Sequence, residues 1–397
     1  MNQNIKDIVT ARFQNPKFIY DGKRMRSFAT RKVVDYTSAM IYERFIVSPP
    51  PLQPGSENAH EIMHLKTPEL SANKLSEILP IQCAHVSINK IKCPINVVEW
   101  TPDGRRCITG SGTGEFTLWN GFGFNFETIL QAHESAIRSL CWSPSGAFLI
   151  SADTLGLIKY WNPSMNNIQM IQAHGEAIRD LSFAYGDAKF CSASDDGKIK
   201  IWDSLDAREE CALSGHGWDV RVAKWHSTKA LIASGGKDNL VKLWDPRGGC
   251  ELRTLHIHKN TILALQWADD YLLTGGKDQT VKMVDLRMMK EVFTYRNAKR
   301  EIASLCTHPF KKDLFVSGTA DGVLNFWQMF NSEPVEVVEN AHDAIVWSIK
   351  FHPVGHTMAT GSSDQSCRFW IRPRPWEKEE IDEEESGQEF EENIPGL

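Results

Sequence analysis

The chain has 397 residues, 42% hydrophobic and 24% charged, with a formal net charge of −6. That balance fits a soluble globular protein with one large core or two ordinary ones, and excludes a fibrous or wholly disordered chain. The opening MNQNIKDIVTARF has no apolar leader, no stretch reaches the roughly 18 apolar residues of a membrane helix, and the 9 cysteines include no CxxC pair. Secretion, membrane insertion and a thiolate zinc site are therefore not expected, and buried free thiols in a reducing compartment are the simpler account.

In chain order, the first expected element is a basic arm with a linker, residues 1–80. The first 44 residues hold nine bases and four acids. Within FIYDGKRMRSFATRKVVDY (18–36), Lys23, Arg24, Arg26, Arg31 and Lys32 alternate with Tyr20 and Phe28. Cations neutralise phosphates and aromatic rings stack on bases, so the mixture suits single-stranded nucleic acid. Two blander readings stand beside it: a nuclear-import patch, KRMR, or a solvated basic strand. The following SPPPLQPGS (48–56) reads as a stiff, extended connector.

From residue 81 to 376 the sequence repeats. Trp119, Trp161, Trp202, Trp244, Trp327 and Trp370 recur with Val284 in the missing slot, at spacings of 42, 41, 42, 40, 43 and 43. Trp100, Trp142, Phe183, Trp225 and Phe351 stand nineteen residues before their anchors, and Trp267 seventeen before Val284. Inside each repeat the pattern alternates, as in AIRDLSF, KFCSAS and KIKIWD, with Gly and Asp at the turns. Such alternation signals short antiparallel strands, four to a unit. Seven units predict an all-β, seven-bladed propeller. The last unit supplies only three strands, so IQCAHVSI (81–88) is expected to return as its fourth and leave no unpaired edge.

His133, His174, His216, His258 and His342 lie 28, 28, 28, 26 and 28 residues before their anchors, and Asp196, Asp238, Asp278, Asp321 and Asp364 lie six before theirs. Metal ligation and acid-base catalysis both use such residues. One-blade spacing disperses them around a ring, however, whereas a catalytic site must converge, so a structural lock within each blade is expected. Blade one has Ile91 and Thr113 in the two slots, blade two has Asp153 two residues early, and blade six has Lys299 in the His slot. These three blades are expected to lack the full lock. GSGTGE (110–115) lies in a turn with no following helix and is not expected to cradle phosphate, and no GxSxG or HExxH pattern appears. No catalytic residue, metal or cofactor is therefore expected. Residues 377–392 hold ten acids and one lysine, and the tail 377–397 is expected to be disordered.

The repeats resemble the WD-repeat family, with literal WD pairs at Trp202-Asp203 and Trp244-Asp245. The strings YDGKRMR, RKVVDY, NKIKCPINVVEWTPDGRRCITGSGTGEFTLWNG, FNFETILQAHESAIRSLCWS and KYWNPSMNNIQMIQAHGEAIRDLSF, with the terminal IPGL, resemble one branch of it. That branch is the WD-repeat subunit of the eukaryotic cleavage and polyadenylation factor, and the likeness runs from residue 18 to about 375. It implies a nuclear, non-enzymatic scaffold beside a zinc-finger subunit and a large multi-propeller subunit, together recognising the AAUAAA signal in pre-mRNA. The zinc fingers take most of the adenines, and the WD-repeat subunit holds a U·A Hoogsteen pair formed within the signal. Carried onto this chain, Lys23, Arg24 and Arg26 grip backbone and base edges, Arg31 adds a phosphate contact, and Tyr20 and Phe126 stack on the pair, with Ile129 beside Phe126. Tyr20 stands where the family more often has phenylalanine, and Ile88 where a small polar residue is expected. The alternative class is a protein-only WD-repeat adaptor, such as a ubiquitin-ligase substrate receptor, that needs neither arm nor RNA. From the residues alone, FGFNF (122–126) also reads as a strand packed between blades.

Overall fold

The computed structural model describes residues 79–372 and the backbone of two short strands, Phe18–Tyr20 and Met25–Ser27. Lys23, Arg24, Arg31, the Pro-rich connector, Trp376 and the acidic tail lie outside the described residues. The chain divides into two compact units, Met1–Ala84 with Trp370–Leu397, and His85–Phe369. In the first, the two short strands pair antiparallel with Tyr20 opposite Met25 and Ile19 opposite Arg26.

The described residues form seven antiparallel sheets of four strands, besides the two-stranded hairpin. Blade one runs outward through Ile95–Trp100, Arg106–Ser111, Glu115–Asn120 and Phe126–Gln131. The inner strands are buried on both faces and read as apolar runs, whereas the outer strand is exposed along most of its length. In the seventh sheet the order is Val346–Phe351, Thr357–Ser362, Ser366–Ile371 and then Gln82–Ile88, so the segment before blade one does supply the last strand. A ring closed this way leaves only short outer edges. No helix occurs among the described residues, and none therefore is long and apolar enough to cross a membrane.

The core is a set of layers between blades. Val97, Ile108, Phe116, Leu118, Ile137, Leu140, Leu149 and Trp161 form the layer joining blades one and two. Every anchor tryptophan is buried, and Val284, at 1% exposure, fills the fifth slot. The turns are equally constrained. Gly156 has φ +81°, and a Cβ there would sit 2.2 Å from the His174 carbonyl oxygen, so only glycine lets the two backbones pass.

Blade seven meets blade one through named bonds. Val98 N donates to Ser348 Oγ at 3.1 Å, Trp100 Nε1 to the Lys350 carbonyl at 3.1 Å, and Lys350 pairs with Glu99 at 2.7 Å. His352 accepts from Val354 N at Nδ1 (3.1 Å) and, through Nε2–H, donates to the Gly104 carbonyl at 3.1 Å. His308 likewise accepts from Lys311 N at Nδ1 (3.0 Å). Burial holds both imidazoles down to about 4 from the ordinary 6.5.

A pH dependence follows. Since both folded pKa values lie below the unfolded one, the unfolded chain takes up protons first as pH falls. Their contribution is complete above pH 6.5 and is lost between 6.5 and about 4. At pH 5 each histidine should have given up about 2 kcal/mol. Melting curves at constant ionic strength should fall by roughly 5–10 °C between pH 7.5 and pH 5. The double variant His308→Gln/His352→Gln should flatten that dependence, and an undiminished drop would show that other groups carry it.

Candidate nucleic-acid interface

The histidines and aspartates of the repeats come together blade by blade. His133, His174, His216, His258 and His342 place Nδ1 at 3.0, 2.8, 2.8, 2.8 and 2.9 Å from Asp153, Asp196, Asp238, Asp278 and Asp364. Each Nε2 lies 2.6–2.8 Å from a hydroxyl, on Ser151, Ser192, Ser234, Thr274 and Thr360. Trp161, Trp202 and Trp244 donate Nε1–H to the same serines at 2.8, 2.9 and 2.8 Å. With the hydroxyl oxygen accepting from tryptophan, its proton points to Nε2, and Nδ1–H is left for the carboxylate. In blades two to four this gives one consistent chain of donors, from tryptophan to hydroxyl to Nε2 and from Nδ1–H to carboxylate. Burial lowers the pKa of His174 and His216 below 6.5. Burial, the largest single influence, would raise that of Asp364, but the bond and charge of His342 together with the Ser366 and Asp343 bonds outweigh it and hold the carboxyl far below the usual range.

Two expectations about these locks are corrected. Blade two does not lack one: Asp153 ends the strand Leu149–Asp153 and reaches His133 from there, while its other oxygen accepts from the N–H groups of Leu155 and Leu157 at 2.9 Å. Two residues' offset in sequence is absorbed because the carboxylate comes from the strand end rather than from the turn. Asp321, by contrast, has no histidine partner; it accepts from the Thr319 hydroxyl. The hydroxyl of the lock went unread. A Ser or Thr stands ten residues before every anchor, at Thr109, Ser151, Ser192, Ser234, Thr274, Ser317 and Thr360, and that period could have revealed it. Among the described residues no group of three or more His, Cys, Asp or Glu is arranged to hold a metal.

A different surface stands out on blade one. Asn120 Oδ1 accepts from Phe122 N and Gly123 N, both at 2.9 Å, and Phe124 adopts φ 57°, which turns its ring inward onto Phe369, 4.4 Å away. Phe124 is wholly buried, whereas Phe126 is 56% exposed, so the reading of FGFNF as a strand packed between blades is corrected: residues 121–125 precede the strand, and Phe124 alone of the three rings packs inward. On the outer strand Phe126 pairs with Trp119, but Thr128 pairs with Leu118 and Ile129 with Thr117. The extra residue, Glu127, is a bulge, held by Arg106 at 2.6 Å and Asn120 at 3.0 Å. Without it, residues 126 and 129 would lie on opposite faces. With it, Phe126 and Ile129 share the Trp119 face, where the Phe126 ring meets Trp119 edge-on at 6.0 Å.

Blades two to five act as internal controls, because their outer strands carry the same bulge. Opposite the anchors of blades three, four and five stand Glu209, Glu251 and Glu291, ion-paired with Lys200, Lys242 and Lys282 at 2.8, 2.5 and 2.7 Å. At the Ile129 position blades four and five have Thr254 and Thr294, whose hydroxyls donate to those glutamates. Blade one replaces Lys, Glu and Thr with Thr117, Phe126 and Ile129, turning a charged patch into an apolar one. Ile129 is 43% exposed, and Ile88 is 57% exposed. Of the predicted arm residues, Tyr20 and Arg26 fall on the described strands and the others do not.

A closed ring of seven four-stranded blades with repeated His–Asp locks defines a WD-repeat β-propeller. The WD domain, G-beta repeat family matches residues 124–162, 165–203, 208–245, 249–285 and 333–370. Polyadenylation factor subunit 2 of Gibberella zeae is 44% identical over 352 residues, 81% of this chain and 57% of its own length. The protein of that name from Neurospora crassa is 40% identical over 399 residues (91% and 60%), and that from Schizosaccharomyces pombe 41% over 389 (88% and 75%). The chain belongs to the polyadenylation factor subunit 2 family. It spans between half and two thirds of the length of the first two of these relatives.

Proposed function

We propose that the protein is a non-catalytic scaffold of nuclear pre-mRNA 3′-end processing that contacts the polyadenylation signal. The family supports the process. The observation that carries the RNA contact is the exchange on blade one, where an exposed aromatic and an exposed isoleucine occupy a position that other blades fill with ion pairs. An exposed ring offers a base a π-face without regard to sequence. In this reading Phe126 stacks on one side of the U·A pair and Tyr20 on the other, Ile129 packs beside Phe126, and Lys23, Arg24, Arg26 and Arg31 hold the backbone. A zinc-finger subunit reads the remaining adenines, and a multi-propeller subunit holds both proteins. The added hydroxyl of Tyr20 leaves the ring face available. Binding and orientation are the whole mechanism, with no bond made or broken by this chain.

Salt dependence tests the arm. Four phosphate-facing cations predict a slope of about −3 in log affinity against log salt on single-stranded RNA, because each neutralised phosphate releases its condensed counterion. The measurement is a titration of AAUAAA RNA with the protein reconstituted beside its zinc-finger partner, compared with the partner alone. A slope unchanged by adding this chain would remove the arm from the interface and favour the protein-only adaptor.

A further inference from the structure

Each inner strand has a register shift after its first residue, and the residue inside that shift lines the axial channel. In blades two to four these residues are Arg138, Arg179 and Arg221, and in blades five to seven Leu263, Ala303 and Trp347. The order of a seven-membered ring sets blade seven across the axis from blades three and four, so Arg179 and Arg221 oppose the indole and Arg138 stands two blades from it. The channel encloses about 180 Å³.

The arginines are unequally satisfied. Arg179 forks onto Asp195 at 2.5–2.9 Å. Arg221 donates to Asp219 at 3.0 Å and lies 3.9 Å from Asp195. Arg138 has no ion pair among the described residues, and its Nε, like that of Arg221, is buried without a hydrogen-bond partner. Burial, then repulsion from Arg179, pulls the Arg138 pKa below the usual guanidinium range. A half-buried cation held beside two others disfavours the empty state, and an incoming anion would relieve it.

The size and surroundings of the channel select the anion. Its volume is below the roughly 300 Å³ at which small-molecule sites begin, yet it admits one amino-acid side chain. Asp180, Asp195 and Asp219 are interleaved with the arginines, so a polyphosphate backbone would meet repulsion along the row while a single carboxylate would not. At the same end of the ring, Trp218 is 61% exposed with Lys237 Nζ 5.4 Å from its ring centre, and Trp347 is 40% exposed. Tryptophan and arginine dominate the binding energy of protein interfaces.

We infer that this end of the channel binds an acidic peptide of a protein partner, one Asp or Glu carboxylate being taken by Arg138 and a neighbouring apolar side chain resting on Trp347. The site is separate from the blade-one surface and does not depend on the RNA reading.

The test uses the full chain and a fluorescein-labelled peptide of repeated Glu-Phe-Glu, followed by anisotropy, with the Gln-Phe-Gln peptide and oligouridine as comparators. Arg138→Gln and Trp347→Ala should each weaken the acidic peptide at least roughly tenfold, because a charge-assisted bond or a buried aromatic anchor is lost. The Gln peptide should not bind and oligouridine should not compete. Arg138→Lys keeps the charge without the fork and should fall between, which preserves the test if the glutamine variant folds poorly. Arg247→Gln, an exposed change elsewhere, should have no effect. Wild-type affinity in Arg138→Gln, no binding by the unaltered protein, or displacement by oligouridine overturns the proposal, the last in favour of a nucleic-acid site.

Discussion

Alanine in place of Phe126 is expected to weaken AAUAAA binding by the reconstituted complex about tenfold, since the loss of one base–aromatic stack removes about 1–3 kcal/mol. The melting temperature should not move, because the Phe126 side chain is 56% exposed and its removal opens no cavity. Adding Lys23→Ala/Arg24→Ala/Arg26→Ala should cost roughly 50-fold more at about 150 mM salt, by counterion release from three phosphates, and should flatten the salt slope by about 2. The two effects should be distinguishable. Phe126→Ala should lower affinity by a similar factor at every salt concentration, whereas the arm variant should lose affinity chiefly at low salt. Phe126→Tyr keeps the π-face and should behave as the unaltered protein. If Phe126→Ala binds AAUAAA with unaltered affinity, blade one does not touch the signal and recognition lies with the partners.

The second large effect is on stability. Asp153→Ala should cost about 3–5 kcal/mol, because it strips a buried polar network of its acceptor. His133 and Asp153 are 0% and 1% exposed, so water cannot take the missing place. The N–H groups of Leu155 and Leu157 lose their acceptor in the same step. A drop of about 10 °C in melting temperature is the expected outcome. Asp321→Ala in blade six should cost much less, since that carboxylate serves only the Thr319 hydroxyl and holds no histidine. Equal losses for the two variants would mean that the turn aspartates act through their own turns and that the histidine bond is incidental. Where the histidine bond carries the loss, as expected, His133→Leu in the Asp153→Ala background should recover part of it, as apolar replacement of both partners usually does.

The lock and the variable surface lie on different parts of the blade. The lock ties the second and third strands to the loop that enters the inner strand, so the outer strand can vary without loosening it. Blade one illustrates the freedom. It has no histidine, and Thr109 accepts the Trp119 Nε1–H at 3.1 Å, yet its anchor is still only 4% exposed. Its outer strand carries Phe126 and Ile129 where blades four and five have a glutamate and a threonine, the glutamate paired with a lysine of the third strand. The hairpin at Phe18–Tyr20 and Met25–Ser27 belongs to the other compact unit.

The blade count, the buried anchors and the returning strand at Gln82–Ile88 were all legible before any coordinates, because each repeat is one supersecondary unit and its period survives in the residue numbers. The dispersal of the five histidines was legible for the same reason. Periods count residues, though, and do not record which way a side chain points. One bulged residue, Glu127, puts Phe126 and Ile129 on a single face, and a carboxylate at a strand end lets Asp153 serve a lock that its spacing argues against. Arg138, Arg179 and Arg221 look like unremarkable second residues of three strands until the ring closes and turns them toward one axis. Local pattern follows from chain chemistry, whereas convergence of side chains from distant repeats follows from closure, and only the folded molecule contains that.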